Sequence, residues 1–225
     1  IERERSFIAD AAHELRTPLT ALDLQVQSLR AEAAGGGQDD AVQRLEAGVA
    51  RAARLVEQLL ALAREERDGN HEHEPVALPE VAREVIEEML PLADKRGIDL
   101  GMERADAVYV SGDRAALCVM VRNLLDNAIR HSPDGGQVDV SVERRGGAQP
   151  SAVLVVADGG PGIPLAERDR VFDRFYRVPG TASPGSGIGL ALVRSIAAHH
   201  HAHIRLDEGP DGRGLRVNVE FPALE

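Results

Sequence analysis

Three groups of residues have types and spacings that could do chemistry. His13 stands in the stretch Asp10-Ala11-Ala12-His13-Glu14-Leu15-Arg16-Thr17-Pro18. Apolar residues at Ile8, Ala12, Leu15, Leu19, Leu22, Val26 and Leu29 alternate by four and three, the seam of a coiled coil. With Ala12 at position a and Leu15 at d, His13 falls at b, outside the seam, and Thr17 lies one turn on along the same exposed face. Pro18 cannot donate to the Glu14 carbonyl, so the helix loosens just after His13. A neutral imidazole exposed beside a loosened turn is a reachable nucleophile. Glu14 can accept its Nδ1 proton and leave the Nε2 lone pair to attack.

The other two groups suit a nucleotide. Asn123 and Asn127 are four apart on one helix, so their amides point the same way, with Arg130 near that face. Amide oxygens are hard, neutral ligands, suited to a Mg²⁺ that phosphates already hold. The glycine-rich pair comes later. Asp158-Gly159-Gly160-Pro161-Gly162-Ile163 follows an apolar run, and a carboxylate at a strand end with glycines behind it fits recognition of an adenine amino group. Gly185-Ser186-Gly187-Ile188-Gly189-Leu190 opens a helix, where glycines bare the backbone N–H groups and the positive dipole end to phosphate.

The elements that position these residues can be read in order. Residues 1 to about 34 form a helix of roughly 45–50 Å, ended by Gly35-Gly36-Gly37. Asp39 or Asp40 caps a second helix running to about Arg67, with Val42, Leu45, Val49, Ala52, Val56, Leu59 and Ala63 again in three-four alternation. Such a hairpin buries one side of each seam, and pairing two hairpins into a four-helix bundle completes the burial, so residues 1–67 are expected to build a homodimer. Residues 68–78 hold Gly, Pro and charge without periodicity and read as a linker. From Pro79 to the end the pattern is mixed. Helices are expected from Pro79 to about Lys95, from Asp113 to His131, near Leu165–Phe172 and over Ile188–His200. Strands are expected over Ile98–Met102, Val108–Val110, Gln137–Glu143, Val153–Ala157, His203–Leu206 and Leu215–Phe221. They make one mixed sheet covered by helices, an α+β sandwich.

Composition narrows the partners. The formal net charge is -11, there is no basic stripe, and two Tyr, four Phe and no Trp leave little stacking surface, so nucleic acid is not a partner. One cysteine, Cys118, excludes an internal disulfide and a cysteine-based zinc site, and its apolar helical surroundings read as buried filler. No apolar run approaches 18 residues, so this stretch has no membrane segment. The chain begins at Ile1 rather than Met and reads as a fragment of a longer protein. His71 with His73 lacks a third metal ligand. His199 with His203 would share a helix face if that helix persisted, and could hold zinc or nickel, against the alternative that these histidines close a helix.

His13-Glu14-Leu15-Arg16-Thr17-Pro18-Leu19 with Phe7 resembles the phosphoacceptor box of bacterial sensor histidine kinases of two-component systems. The segments at Asn123–His131, Asp158–Ile163 and Gly185–Leu190, with Phe172-Asp173-Arg174-Phe175 between the two glycine segments, resemble the nucleotide boxes of the same family's catalytic domain. That domain belongs to an ATPase type shared with type II topoisomerases and certain chaperones. The resemblance implies ATP and Mg²⁺ as cofactors, with Asn127 as main metal ligand and Asn123 assisting. It implies phosphate contact by Arg130, stacking on adenine by His131, and the adenine amine on Asp158. Gly160, Gly162, Ile163, Phe175 and Leu190 would shape the pocket. Gly185, Gly187 and Gly189 would border the phosphates under a lid from about Arg177 to Pro184. It further implies phosphotransfer from His13 to an aspartate of a response-regulator receiver domain, with Thr17 orienting water for the reverse, phosphatase activity. Gly159 departs from the family, which usually has Asn there. ATPases of this type usually carry Glu four residues before the metal-binding Asn. Asn123 stands there, which disfavours hydrolysis by an ATPase without a histidine acceptor. A degenerate, dimeric nucleotide-binding scaffold is the remaining alternative.

Overall fold

The computed structural model describes residues 73–147, 150–179, 186–209 and 212–224. The chain divides into two compact units, Ile1–Ala63 and Arg64–Glu225, and the described residues belong to the second. The expected helical hairpin with His13, Glu14 and Thr17, and Gly185 with most of the expected lid, lie outside the described residues.

Seven strands and three α-helices alternate along the described chain. Strand β1 (Glu74–Ala77) leads directly into helix α1 (Leu78–Asp94), which starts with proline in its first turn, where a missing N–H is no loss. Its buried residues Leu78, Val81, Ala82, Val85, Ile86, Met89 and Ala93 keep the spacing of one helical face. Gly97, at φ 63°, then turns the chain in a conformation that favours glycine. Strands β2 (Asp99–Ala105) and β3 (Tyr109–Gly112) precede helix α2 (Arg114–His131). β4 (Gln137–Arg145) and β5 (Ser151–Asp158) follow, then helix α3 (Gly189–His199), β6 (His203–Glu208) and β7 (Leu215–Pro222).

The main sheet has the order β2-β4-β5-β7-β6, with β2 and β4 parallel and the other pairs antiparallel. β5 lies in the middle and explains its own composition. Ala152 through Ala157 are all at most 3 % exposed, and a strand covered on both faces has no reason to alternate with polar residues. The helices form a layer in which α2 packs against α1 on one side and α3 on the other, and also reaches β5. Leu117, Leu124 and Ala128 of α2 are buried, as their spacing required.

Four expectations need correction. The third strand does not join the main sheet. It pairs antiparallel with β1, Glu74 opposite Gly112 and Ala77 opposite Tyr109, in a separate two-stranded ribbon. Its partner comes from the stretch read as linker, because Val76 is buried and gives that short segment a face to hide. The helix expected near Leu165–Phe172 is two 3-10 turns, Leu165–Glu167 and Arg170–Phe172. Only Val171 is buried there, and Leu165 is 77 % exposed, so no apolar stripe exists to hold a longer helix. The last helix stops at His199, with His201 in the left-handed region at φ 52°, and His203 opens β6. His199 and His203 therefore do not share a helix face. Cys118 is half-buried rather than sealed, and burial raises its thiol pKa.

The start of α2 is fixed twice. Asp113 Oδ1 accepts from the N–H groups of Ala115 at 2.7 Å and Ala116 at 3.2 Å, the N-cap expected of it. The Asp113 N–H in turn donates to Nε2 of His200 at 3.0 Å, while His200 Nδ1 donates to the Ile196 carbonyl at 2.8 Å. These two partners define the tautomer of a buried ring that stacks on His73, centroids 5.2 Å apart. Removing the cap with Asp113→Ala is expected to lower stability by about 1 kcal/mol, measured by urea denaturation.

Candidate nucleotide site

The site is built on the polar face of α2. Asn123, Asn127, Arg130 and His131 are half-buried, while Leu124, Leu125, Ala128 and Ile129 between them face the core. The Asn123 side-chain NH₂ donates to the Val119 carbonyl at 2.8 Å, which lays that amide along its own helix. Asn127 makes no side-chain hydrogen bond among the described residues. Arg130 pairs with Asp126 at 2.6 Å, one turn back, with both side chains about 28 % exposed. A pair this accessible is worth little in water and can be exchanged for a stronger anion. Burial, with the charges of Arg130 and Arg177, holds the His131 imidazole pKa below its ordinary value.

Asp158 ends the buried strand β5 and is itself 4 % exposed. Its Oδ1 accepts the Gly160 N–H at 2.8 Å and the Leu215 N–H at 3.4 Å. Burial raises its pKa, and the two backbone donors act in the opposite direction. The walls around it are backbone packed against backbone. A Cβ on Gly160 would stand 2.6 Å from the His131 carbonyl oxygen, and one on Gly162, at φ 71°, would stand 2.6 Å from the Gly214 oxygen. Gly160 and Gly162 thus tie the loop after β5 to the end of α2 and to the β6–β7 turn.

At the other end, Gly187 (φ 69°) lies against Phe175, which is itself left-handed at φ 62° and donates its N–H to the Gly187 carbonyl at 2.9 Å. Gly189 and Leu190 open α3 as expected, and Ile163 is half-buried beside the first loop. The structure therefore brings His131, Asp158, Gly160 and Gly162 together, and separately joins Phe175 to Gly187.

Sequence reasoning missed two participants. Gly214, at φ 75°, passes so close to Asp158 that a Cβ would stand 1.7 Å from its carbonyl oxygen. The run Gly209, Gly212, Gly214 between two alternating strands was a hairpin signal, but nothing local says which strand end it crosses. Arg168 is the second, donating to the carbonyls of Ile163 at 3.2 Å and Leu206 at 2.9 Å, which straps the first glycine loop to β6.

A mixed sheet under one helical layer, with a buried aspartate among glycines beside an asparagine-bearing helix, defines a nucleotide-binding ATPase fold. Residues 112–225 match the family described as Histidine kinase-, DNA gyrase B-, and HSP90-like ATPase, and residues 3–68 match the His Kinase A (phospho-acceptor) domain. The chain is 42% identical over its full length to Sensor protein kinase PmrB of Pseudomonas aeruginosa. It is 37% identical over 98% of its length to the signal transduction histidine-protein kinase/phosphatase MprB of Mycobacterium bovis. It spans about half of these relatives, 47% of the first and 45% of the second. Among solved structures, a mycobacterial sensor histidine kinase MprB superposes with TM-score 0.59 at 35% identity, over 67% of this chain and 97% of that one. The chain belongs to the sensor histidine kinases.

Two of the glycines around Asp158, Gly159 and Gly214, separate cleanly. A Cβ on Gly159 would meet nothing within 4 Å and its φ is not left-handed. Gly159→Asn, which restores the family's usual residue, is expected to change stability by less than about 0.5 kcal/mol. Gly214→Ala, by contrast, should lose at least about 2 kcal/mol through overpacking against backbone. Paired urea melts of the two variants check this.

Proposed function

We propose that this chain is the kinase core of a two-component sensor, transferring the γ-phosphoryl group of ATP to His13. The observation that carries the reading is the buried Asp158, with Oδ1 held by two backbone donors and its second oxygen left to accept from an adenine amino group. That it shares one chain with a His Kinase A region supports a histidine acceptor. In the arrangement proposed, residues 1–67 form the dimerising, phosphoaccepting part, residues 68–78 the connection, of which Glu74–Ala77 form β1, and residues 79–225 the catalytic part.

The residues fit Mg-ATP. His131, neutral by burial, would lie on the base and Asp158 would accept from its amine. Arg130 would leave Asp126 for a phosphate, and Gly185, Gly187 and Gly189 would offer N–H groups at the head of α3. Asn127, with Asn123 assisting, would hold Mg²⁺, which supplies charge neutralisation on the phosphates when bound. His13 Nε2 attacks the γ-phosphorus, the bond to the bridging oxygen breaks, and Glu14 takes the Nδ1 proton. The phosphoryl group then passes to a receiver-domain aspartate. Thr17 would orient water for dephosphorylation of that receiver, a reading supported by the kinase/phosphatase name of the mycobacterial relative. Asn123, where related ATPases usually have Glu, leaves no carboxylate to activate water against ATP directly. The full-length protein would carry the membrane segment and present this part to the cytoplasm. Gly159 supports a degenerate scaffold only weakly, since the pocket walls come from Gly160, Gly162 and Gly214.

Two outcomes test the proposal. The wild-type chain is expected to incorporate acid-labile, base-stable label from γ-labelled ATP, and His13→Gln to incorporate none; labelling of that variant would refute the acceptor. Asp158→Asn is expected to weaken ATP binding by roughly 5–150-fold, the effect of losing about 1–3 kcal/mol at a buried acceptor. Because the folded pKa of Asp158 is raised, its charge opposes folding above that pKa, and the opposition fades as pH falls toward the unfolded value. The same variant should therefore melt no lower than wild type at pH 7, and wild-type ATP affinity should fall on acidification before an ordinary carboxylate would titrate.

A further inference from the structure

Arg96 lies just beyond α1, in the Asp94-Lys95-Arg96-Gly97 terminator, far in sequence from any nucleotide motif. Yet its side chain reaches the end of α2. One terminal nitrogen donates to the Ile129 carbonyl, the other to the Ser132 carbonyl at 3.0 Å, and Nε to Asp134 Oδ1 at 2.8 Å. Its own carbonyl accepts the Gly135 N–H at 3.0 Å. The segment from Ile129 to Gly135 is thus wrapped around one guanidinium. Carbonyls in the last turn of a helix have no partner within it, and a positive group there also meets the negative end of the dipole.

The position of that turn matters because of what lies against it. His131 sits between the two carbonyls that Arg96 holds, and its own carbonyl is the atom that Gly160 packs against, closely enough that no Cβ fits. The Gly160 N–H is one of the two donors to Asp158 Oδ1. A continuous path of backbone contacts therefore runs from Arg96 through the end of α2 to the carboxylate. Resting on the nucleotide reading of that carboxylate, we propose that Arg96 is a positioning residue for the base end of the site: it sets the last turn of α2, and through Gly160 the orientation of Asp158. Three acceptors in different directions suit a planar fork and not a single ammonium, so lysine is an incomplete substitute.

The experiment uses the full chain with Arg96→Met, which keeps the bulk and removes the donors, Arg96→Lys, and Asp134→Ala, which removes only the exposed ion pair. Titrations with Mg-ATP and with inorganic tripolyphosphate separate the base end from the phosphate end. Arg96→Met is expected to weaken ATP by about ten-fold or more, the scale on which small misplacements act, with tripolyphosphate affinity unchanged. KM for ATP should rise while kcat at saturation holds. The His131 imidazole, depressed by burial, by Arg130 and Arg177 and also by Arg96, should titrate higher by NMR. Arg96→Lys should fall between wild type and Arg96→Met, and Asp134→Ala should match wild type. If Arg96→Met does not fold, Arg96→Lys decides. A lower melting temperature with unchanged ATP affinity in the folded arginine variants would overturn the proposal and leave Arg96 a helix cap alone. Failure of the wild-type chain to bind ATP would instead overturn the nucleotide reading on which it rests.

Discussion

A helix with one buried face and one polar face is held across its axis by packing but only weakly along it, because one apolar turn fits much like the next. Helix α2 carries Asn123, Asn127, Arg130 and His131 on its polar face, so a slip along its axis would carry the whole set away from Asp158. Its two ends prevent the slip. At the head, the Asp113 N–H is taken by Nε2 of His200, a ring from the end of α3 that is buried and has its other nitrogen committed to Ile196. Gly112 must lack a Cβ for the ring to fit, since one would stand 2.4 Å from it. At the tail, Arg96 from the end of α1 takes two carbonyls. Each neighbouring helix thus supplies one side chain to one end of α2, and partly buried hydrogen bonds of this kind cost most when one partner is removed.

The carboxylate at the end of β5 is bound by the opposite logic. Burial makes its charge unfavourable, and two N–H donors recover part of that. No cationic side chain is hydrogen-bonded to it among the described residues. A guanidinium there would satisfy the carboxylate completely and leave nothing for a ligand. Backbone donors from Gly160 and Leu215 engage Oδ1 alone, and keeping them close requires glycine at positions 160, 162 and 214. The glycines are therefore less a flexible loop than a tightly packed wall around a carboxylate whose charge burial disfavours.

Much of this was legible locally. Asp113 as a cap, His131 as a helix end, the apolar run of β5 and the carboxylate following it all depend on residues within one turn or one strand of each other. What was not legible depends on partners far apart in sequence. Nothing local marks Arg96, and the histidines after α3 read only as a helix end; their targets lie more than thirty residues from Arg96 and more than eighty from His200. Gly214 sits in a glycine-rich hairpin signal that says nothing of the strand it crosses, more than fifty residues upstream. The segment Leu165–Phe172 was overread as a helix since composition allowed it, while the absence of a partner for Leu165 could not be seen from the sequence. Conversely, residues 74–77 were underread because two residues, Val76 and Leu78, are too few to show a period.

The end proposed for the phosphates follows from a constraint on backbone rather than on side chains. Phe175 is one of two non-glycine residues among those described with positive φ, a conformation of order 1 kcal/mol or more unfavourable unless its surroundings enforce it. Here the enforcement is reciprocal. The Phe175 N–H is tied to the Gly187 carbonyl, and Gly187 in turn lies so close to the Phe175 backbone that only glycine fits, 2.6 Å from a would-be Cβ. The aromatic segment and the glycine run that opens α3 are therefore locked to each other irrespective of the residues between them. Arg194 of α3, which pairs with Asp173 at 3.6 Å and lies over the Phe172 ring, repeats the link one layer out. Since His200 at the end of α3 also holds the head of α2, Gly187 and Gly189, proposed for the phosphates, and the asparagines proposed for the metal are positioned by one helix.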